Sequence, residues 1–74
     1  MSNVAALTKA QLAMLAAAAL KLPGRLYVAG SGRSQLAARL AYDGWGEWAP
    51  PGPEQRGGTF RLSNEGMRRL LVDY

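Results

Sequence analysis

The sequence predicts a small α+β domain in which helices pack with a two- or three-stranded antiparallel sheet. Three observations carry that expectation. A segment rich in alanine and leucine, from Thr8 to Leu22, has helical spacing and meets Pro23-Gly24. A second amphipathic segment, Ser34-Gln-Leu-Ala-Ala-Arg-Leu-Ala-Tyr-Asp43, is closed by Gly44. Two short strand-like runs then flank a Pro/Gly-rich loop and lead into a basic helix. The chain of 74 residues is expected to form a single domain over residues 1–74, near the lower size at which one core is stable unaided. With 49% hydrophobic and 19% charged residues the composition is that of a globular chain, not a disordered one. Much of the apolar share is alanine, so buried area per residue is modest, and dimerisation is a natural way to add core.

The first helix has a start signal in Thr8-Lys-Ala-Gln11, a capping box in which the Thr8 hydroxyl accepts the Gln11 amide and the Gln11 side chain reaches back. Leu7 can pack on Leu12 as a hydrophobic staple. Leu12, Leu15, Ala16, Ala19 and Leu22 share one face at three- and four-residue spacing, which predicts the buried stripe. Lys21 suits the negative end of the helix dipole, and Pro23-Gly24 ends the helix. The segment reads as core and scaffold, with dimerisation through an exposed Ala/Met14 face as the alternative. The apolar run Leu12–Leu20 also resembles the core of a secretory signal. Only Lys9 precedes it with positive charge, and it is shorter than the ~20 residues that span a bilayer, so a cytoplasmic protein is expected.

Leu26, Tyr27 and Val28 favour a short strand, with Gly30 and Gly32 as breakers. Gly30-Ser-Gly32 lacks the Lys-Ser/Thr pair of a P-loop, and Gln35 stands where a dinucleotide fingerprint needs glycine, so a turn and helix start are expected. Free amides at that start could hold a backbone phosphate.

The helix predicted to begin near Arg33 or Ser34 carries the functional expectation. Leu36, Ala37, Leu40 and Ala41 form its inward stripe. Gln35, Ala38, Arg39 and Tyr42 form the outer one, with Arg33 and Ser34 at its start. A guanidinium fork, an amide, a hydroxyl and small methyls are groups that read base edges: Arg pairs with guanine, Gln with adenine, and an alanine methyl sits beside that of thymine. The structural alternative is a solvated helix face.

In the wing that follows, Trp45 and Trp48 flank Gly46-Glu47, and Phe60 and Leu62 occupy the return run, so cross-strand aromatic packing is expected. The two tryptophans read as core or hairpin clamps in preference to base-stacking platforms. Pro50, Pro51 and Pro53 exclude helix from the loop between Ala49 and Gly58, and Gly57-Gly58 is expected to turn the chain back. Arg56 and Arg61 bracket the end of that loop, where backbone phosphates would be met. Glu47 and Glu54 place negative charge on the same element.

Gly44-Trp45, the Gly-rich loop, Thr59-Phe-Arg-Leu-Ser-Asn-Glu-Gly66, Arg68 and Leu70-Leu71 together resemble the carboxyl half of winged helix-turn-helix proteins, as in MarR-like and PadR-like regulators and small bacterial or phage proteins. Ser63 matches the helix cap of that motif, Gly66 its glycine, and Phe60 and Leu62 its inward strand positions. The resemblance covers about residues 34 to 71. It implies a small winged helix that binds duplex DNA, sequence-specifically or architecturally, as a transcriptional regulator. Upstream the sequence departs from the family: Pro23 to Gly32 has no room for a separate helix before the recognition helix, and the long flanking helices with which MarR-like proteins dimerise are missing.

Nine Lys+Arg against five Asp+Glu make a net charge of +4, and a pI near 10.1 suits a polyanionic partner. With no cysteine or histidine there is no disulfide framework and no thiolate or imidazole metal site, and no cofactor is expected. Asp43, Glu47, Glu54, Glu65 and Asp73 are scattered, and no serine has a base partner, so an enzyme is not expected. Membrane binding is not expected either, because the long helix lacks a basic face. The expected DNA-binding residues are therefore Arg33, Ser34, Gln35, Arg39, Tyr42, Arg56 and Arg61, with duplex DNA as partner and a homodimer as a further expectation. The rival reading is a winged helix that docks protein, such as a phage-type inhibitor or assembly adaptor, supported by the modest charge, two Trp and the Pro-rich loop.

Overall fold

The computed structural model describes residues 7–73, with Asp73 described by its backbone alone. The elements run α1 (Lys9–Lys21), β1 (Leu26–Ala29), α2 (Ser31–Tyr42), β2 (Gly46–Ala49), β3 (Gly57–Leu62) and α3 (Asn64–Asp73). The three strands form one antiparallel sheet in the order β1-β3-β2. Three helices with this sheet make an α+β arrangement compatible with a small winged helix.

Helix α1 starts as its sequence dictates. Thr8 Oγ1 accepts the Gln11 amide at 3.1 Å, and Gln11 Oε1 accepts the Thr8 amide at 2.9 Å. The helix stops at Lys21, before Pro23. The buried face overlaps the predicted stripe but is rotated from it: Leu15 is buried and Leu12, Ala19 and Leu22 are half-buried as expected, whereas Met14 and Ala18 also enter the core and Ala16 is exposed. Alanine covers so much of the circumference that spacing alone does not fix the face. Packing against β3 and α2 selects it instead. Met14 is therefore buried and is not part of an exposed face for dimerisation.

Between β1 and α2 the chain turns at Gly30 (φ 94°), a left-handed backbone that glycine adopts without steric penalty. Helix α2 consequently begins at Ser31, two or three residues earlier than expected, and the Ser34 amide donates to the Gly30 carbonyl at 2.9 Å. Strand β1 extends one residue beyond Val28, to Ala29.

The sheet has a core face and an outer face. Leu26, Phe60 and Trp48 stand side by side across β1, β3 and β2 on the core face, joined by Val28 and Leu62. Tyr27, Thr59 and Ala49 form the matching outer row, and Glu47 faces Arg61 there. The expected cross-strand aromatic packing takes the form of Trp48 opposite Phe60. Trp45 precedes β2 and is almost fully buried, a core residue as its structural reading held. Gly57 and Gly58 are strand residues instead of a turn. A side chain at Gly58 would strike the Ala49 carbonyl and the Trp48 ring, so close packing of the hairpin requires glycine there. The turn is made further out, where the Gln55 amide donates to the Gly52 carbonyl and Gln55 Oε1 accepts the Gly52 amide.

Helix α3 seats on the junction between α2 and β2. The Trp45 carbonyl accepts both the Ser63 amide at 3.1 Å and the Ser63 hydroxyl at 3.2 Å. Ser63 Oγ in turn accepts the Gly66 amide at 2.9 Å, which makes Ser63 the N-cap expected of it. Glu65 lies in the first turn, where negative charge is favourable. Met67 and Leu70 pack against the core, while Leu71 and Val72 are exposed.

Candidate nucleic-acid interface

Helix α2 presents the expected two faces. Ala37 and Leu40 are buried and Leu36 and Ala41 half-buried, packed toward β1, β2 and α1. Gln35, Ala38, Arg39 and Tyr42 are all exposed on the other side, with Arg33 exposed and Ser34 half-buried at the first turn. Tyr42 is 84% exposed. No side chain caps the start of α2, so its first amides remain available to an anion.

The charges on this face differ in their surroundings. Arg39 Nε donates to Asp43 Oδ2 at 3.2 Å, and its guanidinium carbon lies 6.0 Å from the centre of the Tyr42 ring. Arg33 and Arg56 have no ion-pair partner among the described residues. Arg56 is exposed at the base of the β2–β3 loop, beside an open cleft lined by Tyr27, Pro50, Gln55 and Thr59.

Arg61 is placed differently. By strand alternation it lies on the outer face of the sheet, whereas the Gln35–Tyr42 stripe faces away from the sheet on the helical side. The two sets stand on opposite sides of the helix and sheet layers. Arg61 Nε is buried without a hydrogen-bond partner, in a polar cleft with Glu47, Ser63 and Asn64. The fold thus brings Gln35, Arg39 and Tyr42 together on one face of α2; Ser34 is half-buried at its start, Arg33 lies there beside Ala10, Ala13 and Met14 of α1, and Arg61 is not brought to them.

Two residues outside the expected set shape the interface from behind. Asp43 is the C-cap of α2, and its amide donates to the Arg39 carbonyl at 2.9 Å. Its own carbonyl accepts Arg69 Nη1 at 3.4 Å, and the Arg69 guanidinium lies 4.0 Å from the centre of the Trp45 ring. The Arg39–Asp43 pair was open to detection, since four-residue spacing on a helix brings side chains together. The Arg69 clamp spans 26 residues and has no local signal.

Among the described residues no cluster of metal-ligating side chains occurs, and no helix is long and apolar enough to cross a membrane. Comparison with known proteins adds no relative: no family model matches the sequence, and neither a curated protein nor a solved structure matches it.

Proposed function

We propose that this protein is a winged-helix binder of duplex DNA, a small cytoplasmic transcriptional regulator that enters the major groove with α2 and rests its β2–β3 wing on the neighbouring backbone. The observation that carries the reading is the outer face of α2: Gln35, Ala38, Arg39 and Tyr42 are exposed together on one helix, while Arg33 is exposed at its first turn on the side of α1. A helix fits the major groove, and these groups match its donor and acceptor pattern. Arg56, at the base of the wing, opens beside Tyr27, Ala49 and Thr59 of the outer sheet row, so it would reach phosphate only where the backbone passes the wing's edge. Arg61, on the far face of the sheet, would contribute to long-range attraction more than to contact.

The test is fluorescence anisotropy of a labelled mixed-sequence duplex titrated at several salt concentrations. Micromolar affinity that falls steeply with salt supports the reading, and the slope counts the phosphates engaged. Arg39→Ala is expected to lower discrimination between sequences. Arg56→Ala is expected to weaken all duplexes alike and flatten the salt slope by about one unit. If neither variant differs from the parent, the site is misassigned.

A second reading, docking of a protein partner, has the adjacent exposed apolar side chains Leu71 and Val72 of α3 in its favour. Absence of duplex binding at low salt would move the assignment there. The homodimer would use the remaining exposed face of α1, at Ala13, Ala16 and Leu20, and sedimentation equilibrium reads it directly.

A further inference from the structure

Asp43 is at first sight out of place on a surface meant for DNA. Its carboxylate stands at the end of α2, where it would repel phosphate. Its ion pair with Arg39 is exposed, with side-chain exposures of 37% for Asp43 and 66% for Arg39, and a pair of that kind adds little to folding stability. What the pair supplies is a modest directional bias on the guanidinium. An unrestrained arginine loses much of its side-chain freedom when it docks, and its planar fork must meet its target in one orientation.

We propose that Asp43 is a positioning residue that aims Arg39 at a guanine in the major groove. The inference rests on the duplex-DNA reading and deepens it by naming the base. The Asp43 carboxylate engages Arg39 Nε on the side edge of the guanidinium, which leaves the end edge, one N–H from each terminal nitrogen, directed away from the carboxylate. That terminal edge is the one that donates end-on to guanine O6 and N7. The Tyr42 ring, beside the guanidinium, narrows its range further.

The carboxylate itself hangs from a fixed point. The Asp43 amide is bonded to the Arg39 carbonyl, the Asp43 carbonyl accepts Arg69, and Arg69 rests on the buried Trp45. Support therefore runs from α3 through Asp43 to Arg39. Arg33 and Arg56 have no carboxylate partner of this kind, so they act as mobile charges suited to phosphate, and specificity concentrates at Arg39.

The experiment begins with a random-sequence duplex pool from which the parent protein recovers its preferred sites. Affinities of the parent, Asp43→Ala, Arg39→Lys and the double variant are then measured on three probes. These are a recovered duplex, the same duplex with its selected G·C pair changed to A·T, and a mixed-sequence duplex. For Asp43→Ala, discrimination between G·C and A·T is expected to fall about two- to threefold, the bias an exposed pair at four-residue spacing supplies. Its affinity for the mixed-sequence duplex is expected to hold or rise, because one negative charge has been removed from the interface. Arg39→Lys keeps the charge without the fork, and should lose the same discrimination while retaining mixed-sequence binding. In the double variant the losses should not add.

Opposite movement of specific and non-specific affinity in Asp43→Ala is a result that damage to the fold cannot produce. Unchanged discrimination in that variant, or a parallel loss on all three probes, overturns the proposal. A parent that binds duplexes without selecting guanine overturns it while leaving the DNA reading in place. A parent that binds no duplex at all overturns both.

Discussion

The seating of α3 on Trp45 can be tested with one substitution made at two glycines, for which the structure demands opposite outcomes. At Gly66, in the first turn of α3, an added Cβ would overlap the Trp45 carbonyl oxygen, lie 2.9 Å from its carbon and 3.2 Å from Leu62 Cδ1. Backbone cannot give way as a flexible side chain can, so Gly66→Ala must lift α3. Overpacking of this kind costs about 1–3 kcal/mol. The same carbonyl accepts both Ser63 hydrogen bonds, and loosening them adds roughly 1 kcal/mol apiece at most. Against this, alanine gains about 1 kcal/mol over glycine inside a helix. The net is a loss of up to about 4 kcal/mol, centred at about 2 kcal/mol, out of the roughly 4–11 kcal/mol expected for a domain of this length.

Gly32, in the first turn of α2, has nothing within 4 Å of its would-be Cβ. There the helical gain stands alone, and Gly32→Ala should stabilise by about 0.4–1 kcal/mol. Urea unfolding followed by circular dichroism reads both variants, with unchanged m-values required for the comparison. In thermal melts the Gly66 variant should fall by roughly 10–20 °C while the Gly32 variant rises by a few. A Gly66→Ala protein as stable as its parent would refute the seating of α3 on the Trp45 carbonyl, and with it the support of Asp43 from behind.

Two further outcomes follow from local contacts. Thr8→Ala removes one half of the α1 capping box and should destabilise by about 1 kcal/mol in urea, while Thr8→Ser should recover most of that loss. Arg69→Ala removes the cation on the Trp45 ring and the donor to Asp43; a loss of about 1–2 kcal/mol is expected, accompanied by a change in tryptophan emission that Arg69→Lys produces only in part. An emission spectrum identical to that of the parent would argue against the stacked geometry.

Local rules account for much of what the sequence announced. The capping box at Thr8 and Gln11, the stop at Pro23, the inward Ala37 and Leu40, and the Ser63 cap all depend on residues within four positions of one another. Each is settled by backbone hydrogen bonding or helical spacing before distant contacts form. The composition likewise left no cysteine or histidine for metal or disulfide chemistry.

Other features depended on what packs against what. The buried face of α1 rotated to take in Met14 and Ala18 because an alanine-rich helix offers nearly equal faces, and β3 with α2 chose among them. Gly57 and Gly58 became strand residues because β1 and β2 press against them, where the local sequence had suggested a turn. Arg61 was parted from Arg39 by a rule that needs the register: alternation along β3 sends Phe60 inward and Arg61 to the outer face. Only the tertiary structure could place Arg69 on Trp45 and tie it to Asp43. So the outer residues of α2 were determined by the sequence alone, through its helical period, whereas the support that orients them came from chain segments that meet only when the core closes around Trp45.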